Sequence, residues 1–150
     1  MLKINKKVEY ALMALKFMAE KDSQELTSAR EICDQFDTPF DTTAKVMQIM
    51  NNNNILQSVK GIKGGYSLAR PLCEITFFEL AEMIEGKKLG SPCSTPKGLC
   101  ELYEKCNITT PLEGLNIKLS AFLSSISVHD ILFNSSAITF QSEQCKQEAQ

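Results

Sequence analysis

The sequence predicts a mainly α-helical chain with one small β-hairpin, and three observations predict it. Apolar residues recur at three and four through residues 5–20, 39–52 and 110–126, the spacing of a single buried helical stripe. Helix-start signatures stand at Ser28 with Glu31, Thr38-Pro39, Thr76 with Glu79, and Thr110-Pro111 with Glu113. One stretch departs from the helical period. Two short runs, residues 55–59 and 66–69, flank the glycine-rich turn Lys60-Gly61-Ile62-Lys63-Gly64-Gly65, the pattern of a hairpin.

Length and composition suit one domain with an appended arm. A chain of 150 residues with 43% apolar content can bury a core. No apolar run reaches the roughly 18 residues of a membrane span. Glu9 interrupts the apolar stretch behind the N-terminal lysines, and no small-residue cleavage site follows, so no signal peptide is expected. A cytoplasmic protein is expected, with six cysteines held as thiols. The net charge is −2, which disfavours nucleic acid, but it is unevenly spread. Residues 1–72 carry +2 and residues 73–150 carry −4, so the first half is the candidate for a phosphate partner.

Taken in order, residues 5–20 form an amphipathic helix burying Val8, Ala11, Leu12, Leu15, Met18 and Ala19, with Lys3, Lys6 and Lys7 at its entrance. A short helix spans 28–36. The next runs from Thr38-Pro39, with Thr38 as cap and Pro39 first in the helix, to about Asn52. It turns Thr43, Val46, Met47 and Met50 inward and leaves Asp41, Thr42, Lys45 and Gln48 outside. The run of asparagines at 51–54 stops it. Two short helices, a tight turn and a hairpin with a basic tip make a winged helix-turn-helix. Glycine at the tip would let backbone approach a sugar-phosphate chain, and Lys60 and Lys63 would meet phosphates or a narrow minor groove. A helix from Thr76 to about Glu85, ended by Gly86, packs on this module through Phe77, Leu80, Ala81 and Ile84. The winged module is therefore assigned to 1–85, with the helix-turn-helix at 28–52 and the wing at 55–69.

Residues 86–109 form a cysteine loop. Cys93, Cys100 and Cys106 fall within fourteen residues, among Pro92, Pro96 and Gly98. Soft thiolates at short spacing select zinc or an iron–sulfur cluster. A disulfide is the redox alternative, at odds with three thiols and a reducing compartment. Cys33 is expected in the core, Cys73 beside the wing and Cys145 in the tail. His129, the one histidine, is expected to pack rather than to ligate. Residues 110–133 carry the seam Leu112, Leu115, Leu119, Phe122 and Ile126, which wants a second helix along its length: a second copy of the chain or a helix of the same fold. Ser127 caps one more turn, and 134–150 is a polar tail.

At this point the residues resemble a known family. The helix entrance Lys6-Lys7-Val8-Glu9-Tyr10-Ala11-Leu12, the wing Val59-Lys60-Gly61-Ile62-Lys63-Gly64-Gly65-Tyr66-Ser67-Leu68 and the three cysteines together are similar to the IscR/NsrR group of bacterial winged-helix transcription regulators. The resemblance covers about residues 1–133. It implies a homodimer joined by long C-terminal helices, and a 2Fe-2S or 4Fe-4S cluster on Cys93, Cys100 and Cys106, close to the first helix of the other subunit. The iron–sulfur assembly branch supplies a histidine three residues after the last cysteine. Here that place is Thr109. The nitric-oxide-sensing branch supplies a carboxylate from the first helix of the partner, and Glu9 stands at the matching place. The first two cysteines are one residue further apart than the family's usual spacing.

The function expected is therefore a homodimeric DNA-binding transcriptional regulator, with Asp41, Thr42 and Lys45 at or near the bases and Lys3, Lys6, Lys60 and Lys63 on phosphates. Its cluster would sense nitric oxide, redox or iron supply. The alternatives are a winged-helix regulator without a cluster, responsive to zinc, thiols or a metabolite, and a dimeric interaction module that binds no DNA. A thiol-redox enzyme is disfavoured, since there is no CxxC pair.

Overall fold

The computed structural model describes residues 4–22, 25–61, 64–86 and 105–134. Helix α1 is Lys6–Ala19, capped by Asn5, whose side-chain oxygen accepts from the Lys7 N–H at 3.0 Å. Its buried residues are Val8, Ala11, Ala14, Leu15 and Met18. The expected Ala19 is exposed and Leu12 only half-buried. Helix α1 packs against three later helices, the third, fourth and sixth of the chain, and its stripe widens on the Ala14 side.

Helix α2 is Ala29–Phe36. The Ser28 hydroxyl accepts from the Glu31 N–H at 3.1 Å, but the Glu31 carboxylate pairs with Lys21. The capping box is thus half-used, and its acidic member ties α2 back to the end of α1. Asp37, in the left-handed region at φ 53°, turns the chain. Helix α3 is Phe40–Asn52 and buries Thr43, Val46, Met47 and Met50, the face the sequence predicts. Its start differs. Pro39 is the cap residue itself, not the first helical one, and no side chain caps the helix. The Thr38 hydroxyl faces inward and accepts from the Thr43 hydroxyl at 2.9 Å, satisfying two buried groups at once. The asparagines do end the helix: the Asn53 side-chain amide donates to the Ile49 carbonyl at 2.8 Å, and Asn54 is left-handed at φ 58°.

Strands β1, Leu56–Val59, and β2, Gly65–Leu68, pair antiparallel with Leu56 opposite Leu68 and Val59 opposite Gly65. Thr27 adds a single bridge to the outer side of β2, exchanging both backbone bonds with Tyr66 at 2.9 Å. The glycines at the tip answer to the hairpin's own geometry. Gly61 has φ +139°, and a Cβ on Gly64 would lie 2.5 Å from the Val59 carbonyl oxygen. Close approach to DNA is not needed to explain either.

A short 3-10 turn, Leu72–Glu74, leads into α4, Phe77–Glu85, capped by Thr76 and closed by Gly86 at φ 65°. As at α2, the cap hydroxyl is used, accepting from the Glu79 N–H at 3.1 Å, while the Glu79 carboxylate goes elsewhere, to Arg70 at the base of the wing. Helix α5 is Thr109–Ser124. Thr110, expected as its cap, lies inside the helix; Ile108 is the cap residue and no side chain caps it, while Pro111 still falls in the first turn, where no N–H is required. Helix α6 is Val128–Phe133, with the Ser127 hydroxyl accepting from the Asp130 N–H at 3.0 Å. Ile126, expected in the helical seam, is in the connector, and its carbonyl accepts from the Phe77 N–H at 2.9 Å. Thr76 and Ser127 form an isolated bridge, and Val128 enters the core fully buried. One core results: Val8, Ala11 and Leu15 from α1, Ile32 from α2, Val46, Met47 and Met50 from α3, Ile55 and Leu56, Ile75, Leu80 and Ile84 around α4, and Val128.

Candidate nucleic-acid interface

The outer strip of α3 is open. Asp41, Lys45 and Gln48 are exposed and Thr42 is half-buried. Together with Val46, Ile49 and Lys7 of α1, Asp41, Thr42 and Lys45 line a groove of about 270 Å³. The structure therefore brings together the three expected α3 residues and adds a lysine the sequence reading left out of the site. Lys6, expected at phosphates, is instead bonded to Glu9 at 2.6 Å, and that bond to the carboxylate raises its pKa. The signal for Lys7 is its position. It lies four and seven residues before Ala11 and Ala14 and so shares their face, towards α3, whereas Lys6 does not. Lys60 is exposed at the end of β1. Lys3 and Lys63 lie outside the described residues.

Charge is sorted within this module. Lys6, Lys16, Lys21 and Arg70 each pair with a carboxylate. Lys7, Arg30, Lys45 and Lys60 pair with none among the described residues. The cations left for an external anion are those on the helix-turn-helix, its α1 flank and the wing.

Of the expected cluster ligands, Cys93 and Cys100 lie outside the described residues. Cys106 is a half-buried free thiol three residues before α5. The neighbouring Thr109 hydroxyl, then the backbone N–H groups of Ile108 and Thr109, hold its pKa below the usual thiol range. Such donors favour thiolate, the form that binds metal. Glu9 is in the first turn of α1, its carboxylate engaged by Lys6. Among the described residues no three His, Cys, Asp or Glu side chains gather as a metal site. Cys33 is half-buried rather than core, and Cys73 is half-buried in the 3-10 turn. His129 packs on Phe133, ring centroids 5.2 Å apart. Cys145 lies outside the described residues.

A family model described as Rrf2, iron-dependent transcriptional regulator, matches residues 4–134. The chain belongs to the Rrf2 family. It is similar to the regulator NsrR of Oceanobacillus iheyensis, at 24% identity over 135 residues that cover 89% of this chain and 91% of that one. It is likewise similar to IscR of Cereibacter sphaeroides, at 26% identity over 137 residues covering 89% and 88%. Its fold matches CymR, the global cysteine regulator of B. subtilis, with a TM-score of 0.66 at 20% identity over 91% of this chain and 99% of that one. This Rrf2 chain is thus a DNA-binding transcriptional regulator with a winged helix-turn-helix, and not an enzyme. No helix among the described residues is long and apolar enough to cross a membrane.

Proposed function

We propose that this Rrf2 regulator is a cytoplasmic homodimer whose operator affinity depends on an iron–sulfur cluster in the 86–109 loop. Cys93, Cys100 and Cys106 would supply three ligands and Glu9, from α1 of the second copy, the fourth. The observation that carries the reading is the place of Cys106: a free thiol three residues before an α5 helix that buries none of its residues. The donor set fits the group, since thiolates suit iron–sulfur clusters and a hard carboxylate is a replaceable fourth ligand. When bound, the cluster supplies a centre that reacts with nitric oxide or oxidants.

The remaining work falls to the chain. The loop runs between α4 and α5, whose far ends are joined by the Thr76–Ser127 bridge and the Phe77–Ile126 hydrogen bond. Helix α4 packs on α1 and α3, and Glu79 holds Arg70 at the base of the wing. A change of loop conformation would therefore reach α3 and the wing through α4. Residues 110–133 would pair two copies and present two α3 helices to successive turns of the duplex. There, Asp41, Thr42 and Lys45 would meet bases, and Lys3, Lys60 and Lys63 phosphates.

One observation favours a second reading, a cluster-free regulator that responds through its thiols. Glu9 already has a partner in Lys6, and Cys106 is a half-buried free thiol whose pKa is lowered by neighbouring donors. Anaerobic preparation decides between them. The first reading expects iron, acid-labile sulfide and a change in duplex affinity of about 5- to 150-fold when the cluster is removed. Iron-free protein whose DNA affinity follows thiol alkylation supports the second. Iron present without any change in affinity removes the sensing role and leaves the DNA-binding one.

A further inference from the structure

We infer that Arg30 and Phe40 form a second backbone-gripping unit, opposite Lys7, so that the two flanks of α3 each hold one strand of the duplex. The inference rests on the DNA-binding reading and deepens it.

Phe40 is the first residue of α3 and is 49% exposed. Stepping around the helix, it lies about a third of a turn from the Asp41–Lys45–Gln48 strip, on the side away from Thr42 and Ile49. Thr42 and Ile49 line the groove that Lys7 also lines. The open strip of α3 is thus bordered by Lys7 on one side and by Phe40 on the other. Over the Phe40 ring sits the Arg30 guanidinium, 5.7 Å from its centroid. Arg30 comes from the first turn of α2, is exposed, and has no carboxylate partner among the described residues.

Two features of this pair are unfavourable without a ligand. A cation in the first turn of a helix meets the positive end of the helix dipole. A large exposed aromatic at the mouth of a helix-turn-helix leaves apolar surface in water. A phosphate accounts for the first, and a deoxyribose or thymine methyl for the second. The cation–π contact with the ring also holds the guanidinium in place at this flank. A major groove about 12 Å wide, filled by a helix of nearly the same diameter, places one phosphate strand on each side of that helix.

The test uses the full chain and a duplex selected from a random-sequence pool by the wild type, titrated over a range of salt. Arg30→Ala is expected to weaken binding about tenfold at about 0.15 M salt and to lower the salt slope by about 0.9 per phosphate lost. Arg30→Lys keeps the slope but loses part of the affinity. Phe40→Leu, which keeps apolar bulk and removes the cation–π contact, weakens binding about threefold in the wild type but adds little when made in Arg30→Ala, the coupling expected of one unit. Both residues are exposed, so thermal melting reports whether each variant is folded. Folded variants with wild-type affinity and slope overturn the inference. A wild type that selects no duplex overturns the DNA reading itself, a distinguishable failure.

Discussion

The winged module and α5 treat their apolar residues in opposite ways. Helix α3, thirteen residues long, buries the apolar Val46, Met47 and Met50 together with Thr43, and the elements packed on it contribute to the same core. Helix α5 is sixteen residues long and buries none. Leu115 is 52%, Ile117 70% and Phe122 39% exposed. Its inner contacts are with α4 alone among the major packings, and α6, not α5, delivers the buried Val128. The module is complete within one chain. Leu115 and Ile117 of α5 are largely exposed in the single chain, which is why pairing with a second copy belongs in the proposed function.

That contrast is broken or sharpened first in the core. Met47, fully buried at the centre of α3, replaced by Ala is expected to lower unfolding stability by about 2–5 kcal/mol in urea titration. Ile117→Ala at a chain concentration low enough to give monomer is expected to change it by less than about 0.5 kcal/mol. Equal losses would mean that α5 is packed after all.

The next effect is association. Replacing Leu115 and Ile117 together by Glu is expected to halve the mass seen by sedimentation and to remove the concentration dependence of the melting temperature. At about 100 times the dimer dissociation constant, that dependence corresponds to about 2.7 kcal/mol. A double variant that sediments like the wild type would assign the exposed face to another partner.

Much of this division was legible in the sequence, though not all of it. The inner face of α3, the hairpin and the stops at Asn53 and Gly86 follow from periodicity and turn chemistry, which are local. The misreadings have a non-local cause. Thr38 and Pro39 look like a cap and a first helical residue, but Thr38 turns to the buried Thr43 hydroxyl instead. Glu31 and Glu79 look like reciprocal capping acids, yet Lys21 and Arg70, distant in sequence, take their carboxylates. The Thr27 bridge to Tyr66 is a single-residue pairing with no run to announce it. The placement of Asp41, Thr42 and Lys45 on the outer side of α3 was legible because they oppose a clear apolar face. That Lys7 rather than Lys6 lines the groove beside them was not, since it depends on which side of α1 meets α3.

The wing provides a third comparison, between its backbone and its charge. If the glycines serve the hairpin, Gly64→Ala destabilises the unbound protein by about 1–3 kcal/mol, because the added Cβ would meet backbone rather than a side chain that can move. Weaker DNA binding would then follow from the altered wing. A variant of wild-type stability that nonetheless fails to bind duplex would return the glycine to the interface.

The smallest effect concerns how firmly α6 is attached to the module. The Ser127 hydroxyl bonds the Asp130 carboxylate at 2.7 Å, and Asn134 adds a donor at 3.2 Å. The hydroxyl is the main cause of a lowered Asp130 pKa, with Asn134 and the charge on His129 lesser ones. A carboxylate with a depressed folded-state pKa stabilises fully above the ordinary Asp value near 4 and loses that contribution as pH falls through its own lower value. The group is half-buried and still reached by solvent, which screens the effect to a small fraction of the total stability. Asp130→Asn should therefore lower the melting temperature slightly at neutral pH and converge with the wild type in acid. Because Ser127 also bridges to Thr76 at the start of α4, convergence would place this acid-sensitive contact at the base of the loop-bearing helices. Parallel curves at every pH would mean that the Ser127–Asp130 bond makes no net contribution in water.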